Sequence, residues 1–367
     1  MRHRHFETLA PLCPVCRARG AESGLGLAGI YREEGEHVVE GALRCTDPGC
    51  LSEFPILDGI PLLLPNLRAY VASSIGPIQA RDDLAAETES LLGDCCGPGS
   101  PFDVTRQHLS TYAWDHWADL DPDEVPDEVP GDSPGSVVRV LKRALELAGD
   151  LPAGPILDLG CATGRTSFAL AAQGVTRCQV LGVDLGFPMI RLASAALRQG
   201  QVRYPRRRVG VVYDRREFPV QLAGAEAVDF WGADATALPF RDGTFATIVA
   251  LNVLDCVGSP YDLLAALPRL LVPGGKALLT CPYDWSPGAT PVEAWIGGHS
   301  QRGPAAGASE PALRALLTAE AHPAAIPGLR IVAEDEAVPW RVRLHDRSAV
   351  EYRVHVVVVE SVEEEAQ

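Results

Sequence analysis

Four groups of residues in this 367-residue chain have the types and spacing to do chemistry. The first is Asp158-Leu-Gly160-Cys-Ala162-Thr-Gly164, inside PILDLGCATGRTSFALA, where an apolar strand meets a helix through a glycine turn. Such a turn can hold a ligand on backbone amides at a helix N-terminus. A dinucleotide fingerprint needs G-x-G-x-x-G, which Gly160, Ala162 and Arg165 fit poorly. A P-loop needs G-x-x-x-x-G-K-[ST], which Gly160, Gly164, Arg165 and Thr166 do not supply. The second group is Asp184, closing VLGVD, and Asp234, in WGADATALPF. A carboxylate at the end of a second strand can accept both hydroxyls of a ribose. The competing readings are a helix N-cap for Asp184 and a cap or turn residue for Asp234. Third, Cys13-x-x-Cys16 and Cys45-x4-Cys50 are thiol pairs spaced for a tetrahedral metal site. Fourth, PYDWSPGATPVEAWIGGHSQR carries Tyr283, Asp284 and His299 beside Trp285 and Trp295. These three are the candidates for orienting an acceptor or taking its proton. On that reading His299→Ala cuts turnover; the alternatives are turn chemistry for Asp284 and an exposed loop histidine.

These groups need elements to position them. From about residue 136 onward apolar runs alternate with amphipathic helices, the pattern of βα units on a largely parallel sheet. PILDLG, QVLGVDL, VDFWGAD, FATIVALNVL and PGGKALLTCPY are the five successive strands. The closing runs LRIVAEDEAVPWRVRL and EYRVHVVVVES have no helix between them, so they are expected as an antiparallel pair at the sheet edge. The organisation expected is residues 1–66 as a small cysteine-bearing domain, 67–135 as a mixed segment, and 136–367 as the α/β domain. The middle segment ends in DPDEVPDEVPGDSPGS, read as a solvated linker or as an acidic arm over a basic surface. It also holds TRQHLSTYAWDHWADL, whose Tyr112, Trp114 and Trp117 form either a lid or the core face of a helix.

Asp158-Leu-Gly160-Cys-Ala162-Thr-Gly164 resembles the first motif of the class I S-adenosylmethionine-dependent methyltransferases. Ala162 stands where the middle glycine is usual. Asp184, Asp234 and the runs DGTFATIVALNVLDCVGSP and LLVPGGKALLT match that family's later motifs in order and spacing across roughly residues 136–285. The resemblance implies a Rossmann-like seven-stranded sheet and S-adenosyl-L-methionine as cofactor. It implies Asp158, Gly160, Ala162 and Gly164 around the amino-acid part of that cofactor. It further implies Asp184 on the ribose and Asp234 at the adenine amino group, with Asn252 after the fourth strand and Tyr112 from the lid completing the site.

The stretch SEFPILDGIPLLLP after the second cysteine pair is similar to the Trm112-like zinc ribbons, over roughly residues 10–66. That resemblance implies Zn2+ on Cys13, Cys16, Cys45 and Cys50, and a closed four-thiolate site is structural. Trm112-like proteins act elsewhere as partners of methyltransferases, so here the partner is supplied in cis. The bland alternative is that these cysteines are merely buried. Cys95 and Cys96 read as incidental loop cysteines or as a grip for a soft metalloid. Cys161, Cys178, Cys256 and Cys281 lie in apolar runs and are expected in the core.

Of 32 basic residues only Lys142 and Lys276 are lysine, which reads as coding bias in a GC-rich bacterial genome. A net charge of −16 argues against a general nucleic-acid binder. Residues 191–216 nevertheless hold eight arginines and one acidic residue, Asp214. They are either a grip for RNA phosphates or an acidic substrate, or ordinary helix-face and loop arginines. No apolar run approaches the roughly 20 residues of a membrane span. The N-terminus lacks the apolar stretch of a secretory signal, so a cytoplasmic protein is expected. Three readings stand: a methyltransferase for a small molecule, one for RNA or protein, and a non-catalytic cofactor-binding scaffold. The acceptor and the oligomeric state are not legible.

Overall fold

The computed structural model describes residues 1–67, 76, 98–124, 134–173, 178–319 and 321–362. Cys95, Cys96 and most of the tandem DEVP tract lie outside the described residues.

Seven strands follow the order β9-β6-β5-β10-β11-β13-β12. They are β5 (Ile156–Leu159), β6 (Val180–Asp184), β9 (Val228–Ala233), β10 (Phe245–Leu251), β11 (Leu271–Cys281), β12 (Leu329–His345) and β13 (Ser348–Ser361). The first five are parallel neighbours, and β13 runs antiparallel between β11 and β12. β5, β9 and β10 are buried along their whole length. That burial on both faces explains why they appear in the sequence as unbroken apolar runs rather than alternating ones. The strand order reverses at β5, with β6 on one side and β10 on the other. A ligand crevice is expected outside the carboxyl ends of the strands at that switch point. This is the Rossmann-like sheet expected from the sequence, with the closing antiparallel pair at its edge.

The N-terminal strands β1 (Leu25–Glu34), β2 (His37–Cys45), β3 (Glu53–Leu57) and β4 (Ile60–Leu63) extend that sheet to eleven strands. β1 to β4 pair in antiparallel fashion, and β4 then pairs parallel with β9 through Leu62↔Gly232 and Leu63↔Ala233. The cysteine-bearing segment is therefore continuous with the main sheet. The short helices α1 (His3–Leu9) and α2 (Pro14–Arg17) precede it.

Helix α3 (Pro101–Trp117) starts with Ser100 accepting from the Asp103 amide and Pro101 in the first turn, both favoured there. Helices α4 (Ser136–Ala148), α5 (Arg165–Ala172), α6 (Phe187–Gln199), α7 (Pro260–Leu270) and α8 (Ser309–Leu316) complete the α/β layers.

The arginine-rich segment forms the end of α6 and a hairpin of β7 (Gln201–Val209) and β8 (Val212–Pro219). Val202, Tyr204 and Phe218 point inward with the two-residue period of a strand and are buried. Five of its eight arginines pair with carboxylates of the chain. Arg191 pairs with Asp58 at 3.1 Å, Arg206 with Asp346 at 3.0 Å and Arg216 with Asp121 at 2.7 Å. Arg198 and Arg208 also face carboxylates, Glu34 and Asp214.

Candidate active site

A cavity of about 550 Å³ opens at the carboxyl ends of β5, β6, β9 and β10. Asp158, Gly160, Ala162, Asp184, Asp234, Asn252 and Tyr112 all line it. Gly164 does not. Its φ is +86°, and a Cβ there would lie 2.5 Å from Ala193 Cβ and 2.7 Å from the Phe230 ring. Gly164 thus serves helix packing, while Gly160 serves the turn itself: φ is +73° and a Cβ would meet Val253 at 2.4 Å. Ala162 holds φ +46°, a left-handed backbone that a side chain makes costly.

The cavity carboxylates are each tied to the backbone or to a hydroxyl. Asp158 is buried, and its Oδ2 accepts from Thr166 Oγ1 at 2.7 Å and Ser167 Oγ at 2.6 Å. Burial nevertheless pushes its carboxyl up to about 6. Asp184 caps no helix with its side chain. Instead Oδ2 accepts from the Ala162 amide at 2.9 Å and Oδ1 from the Gly186 amide at 2.7 Å, joining the ends of β5 and β6. Asp234 Oδ1 accepts from the Thr236 amide and hydroxyl at 2.8 and 2.7 Å, a turn geometry that engages one carboxylate oxygen. Asn252, at φ +55°, accepts through Oδ1 from Thr280 Oγ1 at 2.7 Å.

The aromatic segment divides by helix face. Tyr112 lines the cavity, and so does His116, one turn further along α3. Trp114 and Trp117 are buried in the core. Trp117 Nε1 donates to the Thr163 carbonyl at 3.0 Å and Trp114 Nε1 to Glu124 at 3.0 Å. His116 is a site residue the sequence reading missed. The signal was the four-residue spacing from Tyr112, masked by the attention that two tryptophans attract. Trp340 and Cys256 were missed as well. Cys256 is exposed at the cavity, whereas Cys161, Cys178 and Cys281 are buried as expected.

The loop after β11 is placed otherwise than expected. The cavity takes Ala289 from it, and Tyr283, Asp284 and His299 are not in the lining. The Tyr283 hydroxyl meets His355 Nδ1 at 2.7 Å. Asp284 accepts from the Tyr352 hydroxyl at 2.9 Å, and its amide donates to Asp255 Oδ2 at 2.8 Å. His299 is exposed, with Nδ1 3.0 Å from its own loop's Gly297 carbonyl. Trp285 and Trp295 stack on one another, centroids 6.0 Å apart. The loop folds on itself through Trp285 and Trp295 and onto β13 through Tyr283–His355 and Asp284–Tyr352.

In the N-terminal segment the ligand atoms of Cys13, Cys16, Cys45 and Cys50 all lie within 4.8 Å of one another. Cys13 and Cys50 are 3.9 Å apart, Cys16 and Cys45 3.7 Å. A tetrahedron with metal–sulfur bonds of about 2.3 Å has edges of roughly 3.8 Å, so the four thiols fit zinc.

Residues 157–279 match the protein family described as "Methyltransferase domain". The demethylmenaquinone methyltransferase of Clavibacter sepedonicus is 33% identical over 132 residues, covering 36% of this chain and 42% of that protein. The nocamycin O-methyltransferase of Saccharothrix syringae is 28% identical over 195 residues, 52% of this chain and 60% of that protein. The chain thus spans less than half the length of the first of these relatives. Among solved structures, phosphoethanolamine N-methyltransferase 2 of Haemonchus contortus with S-adenosyl-L-methionine is 19% identical, covering 39% of this chain and 28% of that one, with a TM-score of 0.30. Residues 157–279 are thus similar to methyltransferase domains, and they lie on the Rossmann-like sheet described above.

Proposed function

We propose that this chain is an S-adenosylmethionine-dependent methyltransferase acting on a small molecule. The observation that carries the reading is the cavity at the switch point, with Asp158, Asp184 and Asp234 at the ends of three neighbouring parallel strands. In this reading Asp158 faces the ammonium of the cofactor, Asp184 its ribose hydroxyls and Asp234 the adenine amino group. Gly160 and Ala162 let the backbone approach. The bound cofactor supplies an electrophilic methyl group. The chain's own task is to exclude water and align an acceptor for in-line displacement.

Away from its carboxylates the cavity lining is largely apolar, with Val137, Val257, Ala289 and Trp340 among its residues beside Tyr112 and Cys256. Such a wall suits a small, mostly apolar acceptor. The relatives above are named for demethylmenaquinone and nocamycin, both small molecules. A polyanionic RNA is a poorer fit, because Arg191, Arg206 and Arg216 of the segment that would recruit it are already paired with carboxylates. No helix among the described residues is long and apolar enough to cross a membrane.

Residues 1–66 form, in this proposal, a ribbon whose four thiolates hold one structural Zn2+ in the manner of the Trm112-like proteins. Residues 67–135 lend α3 to the cavity of the 136–367 domain. Metal analysis should return one zinc per chain, lost on Cys16→Ser; a metal-free folded protein contradicts the ribbon assignment.

Methyl-labelled cofactor, the purified chain and a host extract split into RNA, protein and small-molecule fractions test the activity. Label is expected among small molecules. Label in RNA or protein would move the acceptor to another class, and binding without transfer in any fraction would favour a scaffold.

A further inference from the structure

The polar lining of the cavity is dominated by acceptors. An amino-acid group entering it carries an ammonium and a carboxylate, and the carboxylate would meet Asp158 unless a donor stood beside it. Most donors nearby are committed. Thr166 and Ser167 donate to Asp158, Thr236 to Asp234, and Trp340 Nε1 to Asp115 at 2.8 Å.

His116 differs. It is 4% exposed, lines the cavity, and its Nδ1 accepts from the Arg165 backbone amide at 3.4 Å. An amide donating to Nδ1 leaves the ring proton on Nε2. Among the described residues Nε2 has no hydrogen-bond partner. The ring's position is set by its neighbours. Trp117 is bonded to Thr163, and Arg165 is paired with Asp119 at 3.0 Å, so the end of α3 is latched to the turn that flanks Asp158. Burial and the Arg165 charge pull the imidazole down to about 3, which keeps it a neutral donor.

We propose that His116, through Nε2–H, holds the carboxylate of the cofactor's methionine end while Asp158 holds the ammonium. This rests on the S-adenosylmethionine reading above. His116 is then a binding residue that sets which sulfonium or thioether nucleosides the cavity accepts: those with an intact α-amino acid end.

Calorimetric titration with S-adenosylhomocysteine and with its decarboxylated form, which keeps the ammonium, separates the two functions. His116→Phe should weaken binding of the first roughly tenfold or more, the range of a hydrogen bond to a charged group. The same variant should change binding of the decarboxylated ligand by less than about twofold, since that bond is absent there. His116→Gln, which restores a donor near Nε2, should recover much of the loss. If His116→Phe does not fold, His116→Asn, which lacks that reach, is read in the same way. Equal losses for both ligands, or an unchanged affinity for S-adenosylhomocysteine, would overturn the proposal. A wild-type chain that binds neither ligand would instead remove the cofactor reading on which it rests.

Discussion

The carboxyl ends of β5, β6 and β9 and the loop after β11 are both polar, both at the same edge of the sheet, and differ in what fixes them. At the strand ends each carboxylate is held by the turns and helix starts that follow the strands, Asp158 by the Thr166 and Ser167 hydroxyls. Asp184 bridges the Ala162 and Gly186 amides, and Asp234 folds onto Thr236 two residues on. In the loop, Tyr283 is held by His355, Asp284 by Tyr352 and Trp285 by Ser309, all distant in sequence, whereas the exposed His299 meets its own loop. Local constraint leaves a residue's orientation readable from its spacing, whereas distant constraint does not.

The comparison breaks most easily at the turn. Gly164→Val places a side chain against Ala193 and Phe230 at a left-handed backbone position. It should cost about 3 kcal/mol of stability in a denaturant titration. A cost near zero would mean that the turn is not packed as described.

A second, intermediate effect concerns pH. With its carboxyl raised to about 6, Asp158 is neutral in mild acid and cannot attract an ammonium. Affinity for S-adenosylhomocysteine should therefore strengthen as pH rises through about 6 and then level off, and Asp158→Asn should flatten the profile. In the free protein the sign is opposite. Burial penalises the ionised form, so this group lowers stability as pH rises from 3.8 to about 6.

Smaller effects sharpen the other side. His299→Ala, at an exposed position outside the cavity lining, should leave turnover within about twofold, the usual range for a surface change remote from a site. A larger loss would restore the catalytic role first expected of that loop. Ala162→Gly relieves a positive φ but loosens the unfolded chain, two terms of similar size. Its melting midpoint should barely move.

Much of the fold was legible because fully buried parallel strands leave unbroken apolar runs and the closing pair lacks a helix between its members. The turn and three carboxylates were legible through local spacing. Four other features were not. The parallel pairing of β4 with β9 depends on two residue pairs far apart in sequence. The β7–β8 hairpin had an alternating signal in Val202 and Tyr204 that its arginines obscured. The cavity role of His116 depended on which face of α3 meets the turn. The placement of the loop after β11 depended on aromatic partners that spacing does not reveal.

The central claim is that the switch-point cavity is an S-adenosylmethionine site organised by Asp184. Titration of the purified chain with S-adenosylhomocysteine, beside Asp184→Ala, tests it most directly. One ligand should bind per chain. The variant, losing the carboxylate proposed to accept two ribose hydroxyls, should weaken binding by about 100-fold or more while remaining folded. Equal affinities in the two proteins, or no binding to the wild type, would contradict the account.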